Sequence, residues 1–340
     1  MCQTSENGLV FLVLSILLSI PRCTVEAQNN TTFEQGVAAF EAREWATARS
    51  IFTDLIESEP DNHAAAAYLG RIALEWMPNR NYEQAAEWLE RAIEGDESHA
   101  DYHYWLGSAY GGLAREAGVP GGLFHARRMK KECERAIECD PSHANARYRL
   151  VEYYLEVPGM FGGSARKARE IAEELKTIDR QLGSEALILV YRNKDEHDRV
   201  VAEYRELIAT YPEDIDFRLN LASYQVRLTR HEEAFEICEN AMRDLPDEHV
   251  AEYYYGWIAA ESGLHPEEGI EHLQACLDLE NAEGMPSPGR IHYQLGRLYE
   301  HLNRTDQAIA EYEATLREIP GYQRAVDALE RLRPPGRSAA

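Results

Sequence analysis

The residues able to do chemistry in this 340-residue chain are scattered, and their spacing excludes most reactions. No Gly-rich phosphate loop closes on Lys-Ser/Thr, and no HExxH pair is present. The densest titratable run, Asp195-Glu196-His197-Asp198, is local in sequence and interrupts an apolar pattern, as a solvated helix cap does. His63, His99 and His143 recur beside Asn62, Ser98 and Ser142. They recur at successive helix junctions, about one helix pair apart in space and too far to share ligand bonds of about 2 Å, and read as helix-entry residues. No catalytic set, no metal site and no cofactor is expected, so the chain reads as non-enzymatic.

Cationic residues are the second candidate. The chain carries 59 acidic and 35 basic residues, a formal charge of −24, yet residues 121–180 hold 12 basic and 10 acidic. Within this window two glycine-containing segments each precede a basic run. Gly118-Val119-Pro120-Gly121-Gly122 leads to Arg127, Arg128, Lys130 and Lys131; Gly162-Gly163-Ser164 leads to Arg166, Lys167 and Arg169. A Gly-Gly-Ser turn opening a helix can offer backbone N–H groups to an anion, with Arg166 and Lys167 assisting. The ordinary alternative is a capped helix with a solvated basic face. The acidic balance elsewhere argues against nucleic acid as a partner.

The elements that position these residues are helices in pairs. In residues 289–320, Ile291, Leu295, Leu298 and Leu302 form one apolar stripe at helical spacing. Asn303-Arg304-Thr305-Asp306 breaks it. Ala308, Ile309, Tyr312 and Leu316 form a second stripe that Pro320 ends. Gly296 and Ala308 are small where two antiparallel helices must approach. Such a hairpin cannot bury both stripes alone and needs stacked neighbours.

Counting Gly289 as position 1, Leu295-Gly296 fall at 7 and 8, Tyr299 at 11, Ala308 at 20, Tyr312 at 24 and Pro320 at 32. This resembles the tetratricopeptide repeat. The same frame runs through residues 29–62, 63–99, 100–143, 144–180, 181–214, 215–248, 249–288 and 289–320. A final amphipathic segment, 321–333, is placed to cap the array. Copy 181–214 is degenerate, with Ile188 and Val200 at the small positions. The resemblance implies an all-α, right-handed superhelical solenoid of about eight helix pairs over residues 28–333, with a disordered tail at 334–340.

It also implies a mode of binding. In this family the first helix of each pair lines a concave groove through positions 2, 5, 9 and 12. By register these include Arg71, Tyr104, Asn145, Tyr148, Tyr253, Trp257, Tyr293 and Arg297. The expected partner is a protein or peptide; the ordinary alternative is tyrosine as repeat filler. The 118–169 edge, with Arg127, Arg128, Lys130, Gly162, Gly163, Ser164, Arg166 and Lys167, is the alternative site, for a small anion or an envelope polymer in a transport or assembly system. The segment YYLEVPGMFGGSARKA resembles a loop of exported bacterial tetratricopeptide-repeat proteins.

Residues 9–20 are an uninterrupted apolar run, short of the roughly 20 residues of a membrane span. Val25-Glu26-Ala27 places small residues suitably for cleavage before Gln28, so residues 1–27 read as a signal peptide, although the first eight residues lack Lys and Arg. Export, to the bacterial periplasm, is the expectation. Retention of residues 9–20 as an anchor is the alternative, and the one route to a membrane. The cysteines Cys133, Cys238 and Cys276 fall in core slots and read as buried small apolar side chains.

Overall fold

The computed structural model describes residues 22–279 and 284–333. The expected disordered tail and residues 1–21 of the expected signal peptide lie outside them. Among the described residues there are sixteen α-helices and no strand. They divide into two compact units, residues 1–193 and 194–340.

In the first unit the helices are α1 (Arg22–Glu41), α2 (Trp45–Ser58), α3 (His63–Glu75), α4 (Tyr82–Gly95), α5 (Ala100–Cys139), α6 (Ala144–Glu156), α7 (Ala165–Ile178) and α8 (Arg180–Asn193). The second holds α9 (His197–Thr210), α10 (Ile215–Arg227), α11 (His231–Asp244), α12 (Val250–Ser262), α13 (Pro266–Asp278), α14 (Pro288–His301), α15 (Thr305–Glu318) and α16 (Gln323–Leu332). The division falls in the α8–α9 turn, inside the degenerate copy.

One contact recurs because of one small residue. A Cβ placed on Gly36 would meet the Phe52 ring at 2.8 Å; on Gly70, Leu89 at 2.5 Å; on Gly107, Cys133 Sγ at 3.0 Å; on Gly256, Leu273 at 2.3 Å; on Gly296, Tyr312 at 2.6 Å. Position 8 must be small so that the large residue at position 24 can seat over it. Phe52, Leu89, Leu273 and Tyr312 are thereby almost completely buried.

The extra residues around Gly118 lie within α5, which is helical over 40 residues. It cannot be a straight rod. Gly107 and Cys133 would then be about 39 Å apart at 1.5 Å per residue, whereas they touch. The chain doubles back near Gly118, whose φ of +58° lies in the left-handed region. The insertion therefore lengthens both arms of a helical hairpin.

The sequence reading missed a polar clamp within the pairs. Position 4 of the first helix reaches a carboxylate on the second: His103 Nδ1 to Glu132 at 2.8 Å, Arg147 Nη2 to Glu174 at 2.9 Å, Arg218 Nη1 to Asp244 at 2.8 Å, and His292 Nδ1 to Glu311 at 2.6 Å. Burial opposes charge on His103, but hydrogen bonds to Glu132 and to the Glu97 carbonyl oxygen outweigh it and raise its pKa above 6.5. A raised histidine stabilises the fold fully below the unfolded value of about 6.5 and loses that contribution as pH climbs through the higher folded value. The first unit is therefore expected to weaken as pH rises above about 6.5. In His103→Gln that slope should flatten, as read by urea melts on the alkaline side of that value.

Candidate functional site

The eight groove residues separate into two groups. In the first unit, Arg71 lies in an aromatic box, its guanidinium 4.3 Å from the Phe40 ring centre and 4.6 Å from that of Trp105. Glu75 pairs with it at 3.3 Å. Arg71 thus does structural work there. The Tyr104 ring centre sits 5.1 Å from that of His143. Asn145 is exposed and Tyr148 half-buried on α6.

In the second unit the other four come together. Trp257 and Glu261 on α12 lie beside Tyr293 and Arg297 on α14, with Glu261 accepting from Arg297 at 2.5 Å. The Arg297 hydrogen bond holds the Glu261 carboxyl below its ordinary range. Burial pushes the Tyr253 hydroxyl up. Tyr293 packs edge-on against Tyr322 at 5.1 Å.

Beside this cluster is a cleft of about 380 Å³, lined by Tyr293, Arg297, Glu300, His301, Tyr312, Arg324, Ala328 and Arg331. Glu300 anchors its wall, accepting from Tyr312 at 2.5 Å and from Arg331 at 2.7 Å to each oxygen. Arg297 and Arg331 are thus neutralised by carboxylates. Arg290 and Arg324 have no ion pair among the described residues, and both are exposed. Arg290 acts electrostatically on Tyr253 and Arg324 on Tyr293. The arrangement can stack an aromatic or apolar side chain and neutralise a carboxylate. Arg324 and Arg331 were not among the expected site residues, because they lie on the terminal helix, outside the repeat register.

At the alternative site the structure removes the backbone anion trap. The Gly162 N–H donates to Gly159 O at 3.1 Å, that of Gly163 to Pro158 O at 3.3 Å, and that of Ser164 to Tyr154 O at 2.8 Å. All three donors are satisfied internally. The segment has its own reason to be Gly-Gly-Ser. Gly162 has φ +111°, a Cβ on Gly163 would fall 1.6 Å from Val157 O, and Ser164 Oγ accepts from Lys167 N–H. Arg166, Arg128 and Lys130 are paired with Glu170 at 2.6 Å, Glu90 at 2.8 Å and Glu134 at 3.3 Å. Arg127 is exposed and has no ion pair among the described residues. Lys130 and Lys167 flank the Tyr154 ring at 5.7 and 5.5 Å, which brings the two basic segments side by side.

Cys133, Cys238 and Cys276 are buried, and burial pushes each thiol up to about 12.

Residues 33–75, 78–111 and 256–323 match the family model of the tetratricopeptide repeat. The chain carries tetratricopeptide repeats. Among solved structures it is similar to yeast Tom70, at 10% identity and a TM-score of 0.61, covering 96% of this chain and 66% of that one. It is also similar to a tetratricopeptide repeat protein from Parabacteroides merdae (10% identity, TM-score 0.48, covering 89% and 98%). A third is a thermophilic tetratricopeptide-repeat protein of Thermus thermophilus (18% identity, TM-score 0.48, covering 58% and 99%). At these identities the similarity concerns the fold alone. No curated protein matches the chain. The tetratricopeptide fold is typically a protein–protein interaction module, and its members are generally non-enzymatic scaffolds.

Proposed function

We propose that this tetratricopeptide-repeat protein is an exported scaffold that holds a peptide segment of another protein against the first-helix face of its second unit. The observation that carries the reading is the Tyr253–Trp257–Tyr293 surface, with the exposed Arg290 acting on Tyr253 and the exposed Arg324 lining the adjacent cleft. Tyr and Trp offer contact area at small entropic cost, and the arginines favour an acidic segment or a terminal carboxylate. Export rests on the apolar run at 9–20 and the small residues before Gln28. N-terminal sequencing of the envelope-fraction protein tests it.

The groove is tested by displaying acidic, aromatic-containing peptides to the purified chain and following Trp fluorescence. Trp257→Ala and Arg324→Glu are each expected to weaken the best peptide by about tenfold or more, as hot-spot truncation does. Arg324 is exposed, so its variant should melt within a few degrees of the parent; Trp257 is half-buried against the core, so loss of binding in its variant is read beside its own melt. Capture unchanged in both variants would show that the partner binds elsewhere.

A further inference from the structure

Of the six large apolar side chains that stand exposed among the described residues, four occur in three successive first-to-second-helix connections of the first unit. Met77 is in the α3–α4 connection, Phe124 just past the α5 reversal, and Met160 and Phe161 in the α6–α7 turn. Their exposures are 62, 61, 84 and 40%. A scattered exposed apolar residue is ordinary; four at one edge are not.

Contacts make these connections neighbours. A Cβ on Gly112, in the outgoing arm of α5, would meet the Tyr82 ring at 2.2 Å. Tyr82 closes the α3–α4 connection. On the other side, Tyr154 of α6 lies between Lys130 of α5 and Lys167 of α7.

The same three segments, 76–82, 113–131 and 157–169, hold nine basic residues and one acidic one, Glu116. Glu90, Glu134 and Glu170 answer Arg128, Lys130 and Arg166. Arg80, Arg115, Arg127, Lys131 and Lys167 have no ion pair among the described residues. In a chain of net charge −24 this edge is an island of opposite sign.

We propose that this edge docks the protein on an anionic lipid bilayer surface, with Met77, Phe124, Met160 and Phe161 entering the headgroup boundary and the five cations lying over lipid phosphates. Protruding apolar side chains ringed by Lys and Arg are the composition such an interface selects. A small anion would leave the four apolar side chains without a role. An acidic protein partner fits the charge, but a fluid surface also suits apolar side chains spread over three connections. The acidic remainder of the chain is repelled by the same surface, which fixes the orientation. This contact is independent of the groove and does not require residues 9–20 to remain attached.

The test is flotation of the full chain with vesicles of phosphatidylcholine, alone or mixed with phosphatidylglycerol. Binding should require phosphatidylglycerol and be lost in about 0.5 M salt. The triple variants Phe124→Ser/Met160→Ser/Phe161→Ser and Arg127→Glu/Lys131→Glu/Lys167→Glu should each lower it at least about tenfold. Every substituted side chain is exposed, so circular dichroism melts should match the parent, and Trp257→Ala should float as the parent does. Equal binding to both lipid mixtures, or binding that survives both triple variants, would assign attachment to the apolar run at 9–20 and overturn the proposal. Failure to float with phosphatidylglycerol vesicles overturns it as well.

Discussion

Gly183→Val is expected to break the α7–α8 corner and lower the stability of the first unit by about 3 kcal/mol, at the high end for overpacking. A Cβ at this position would lie 2.2 Å from Lys176 Cα and 2.3 Å from Lys176 N, so the obstacle is backbone. A clashing side-chain tip can rotate away; a helix backbone must be displaced. The corner has no slack. Asp179 ends α7, accepts the Gly183 N–H through its carbonyl and caps α8 through its carboxylate. Gly159→Ala is the control, since nothing lies within 4 Å of a Cβ there. Hydrogen exchange should show protection lost in α7 and α8 first, because repeat stacks open locally. A Gly183→Val melt within about 2 °C of the parent would mean that the two helices do not cross as closely as described.

Tyr312→Ala is expected to cost the second unit about 3–5 kcal/mol, the range for truncating a buried aromatic, and to damage the groove as well. The ring is almost completely buried over Gly296, and its hydroxyl donates to Glu300, the carboxylate that also orients Arg331. Burial and the Glu300 carboxylate both push the hydroxyl pKa upward, so it remains a donor at any physiological pH. Tyr312→Phe separates the two roles. It keeps the packing and loses one hydrogen bond worth about 1 kcal/mol or somewhat more to a charged acceptor, while Glu300 keeps both hydrogen bonds from Arg331. Urea melts of the two variants should therefore differ by at least about 2 kcal/mol. Equal losses would mean that the hydrogen bond, and not ring packing, dominates at this site.

Much of the fold was legible because it is periodic. Gly296 under Tyr312 and Gly70 under Leu89 are set by residue size at a fixed spacing, and size is read directly from sequence. The position-4 clamps were not legible, since His103, Arg147, Arg218 and His292 differ in type and their carboxylates come from shifting positions on the second helix. The insertion near Gly118 was visible as extra length. Its conformation was not, because Gly and Pro mark a chain reversal without saying how far the flanking helices extend.

The candidate sites divide in the same way. Tyr253, Trp257, Tyr293 and Arg297 followed from register. Register could not show that Arg71 is held between Phe40 and Trp105, or that Arg324 and Arg331 of the terminal helix complete the cleft. The Gly162-Gly163-Ser164 turn looked like an anion trap because its donors can be counted in sequence, while their acceptors, Gly159, Pro158 and Tyr154 carbonyls, depend on how the loop folds back.

The sequence by itself determined the helix pairs, their stacking and the net charge, because each is a sum over local composition and spacing. Only the tertiary structure decided which cations are neutralised, which donors are satisfied and which apolar side chains stand uncovered. Those properties belong to contacts between residues distant in the chain, and no period in the sequence encodes them.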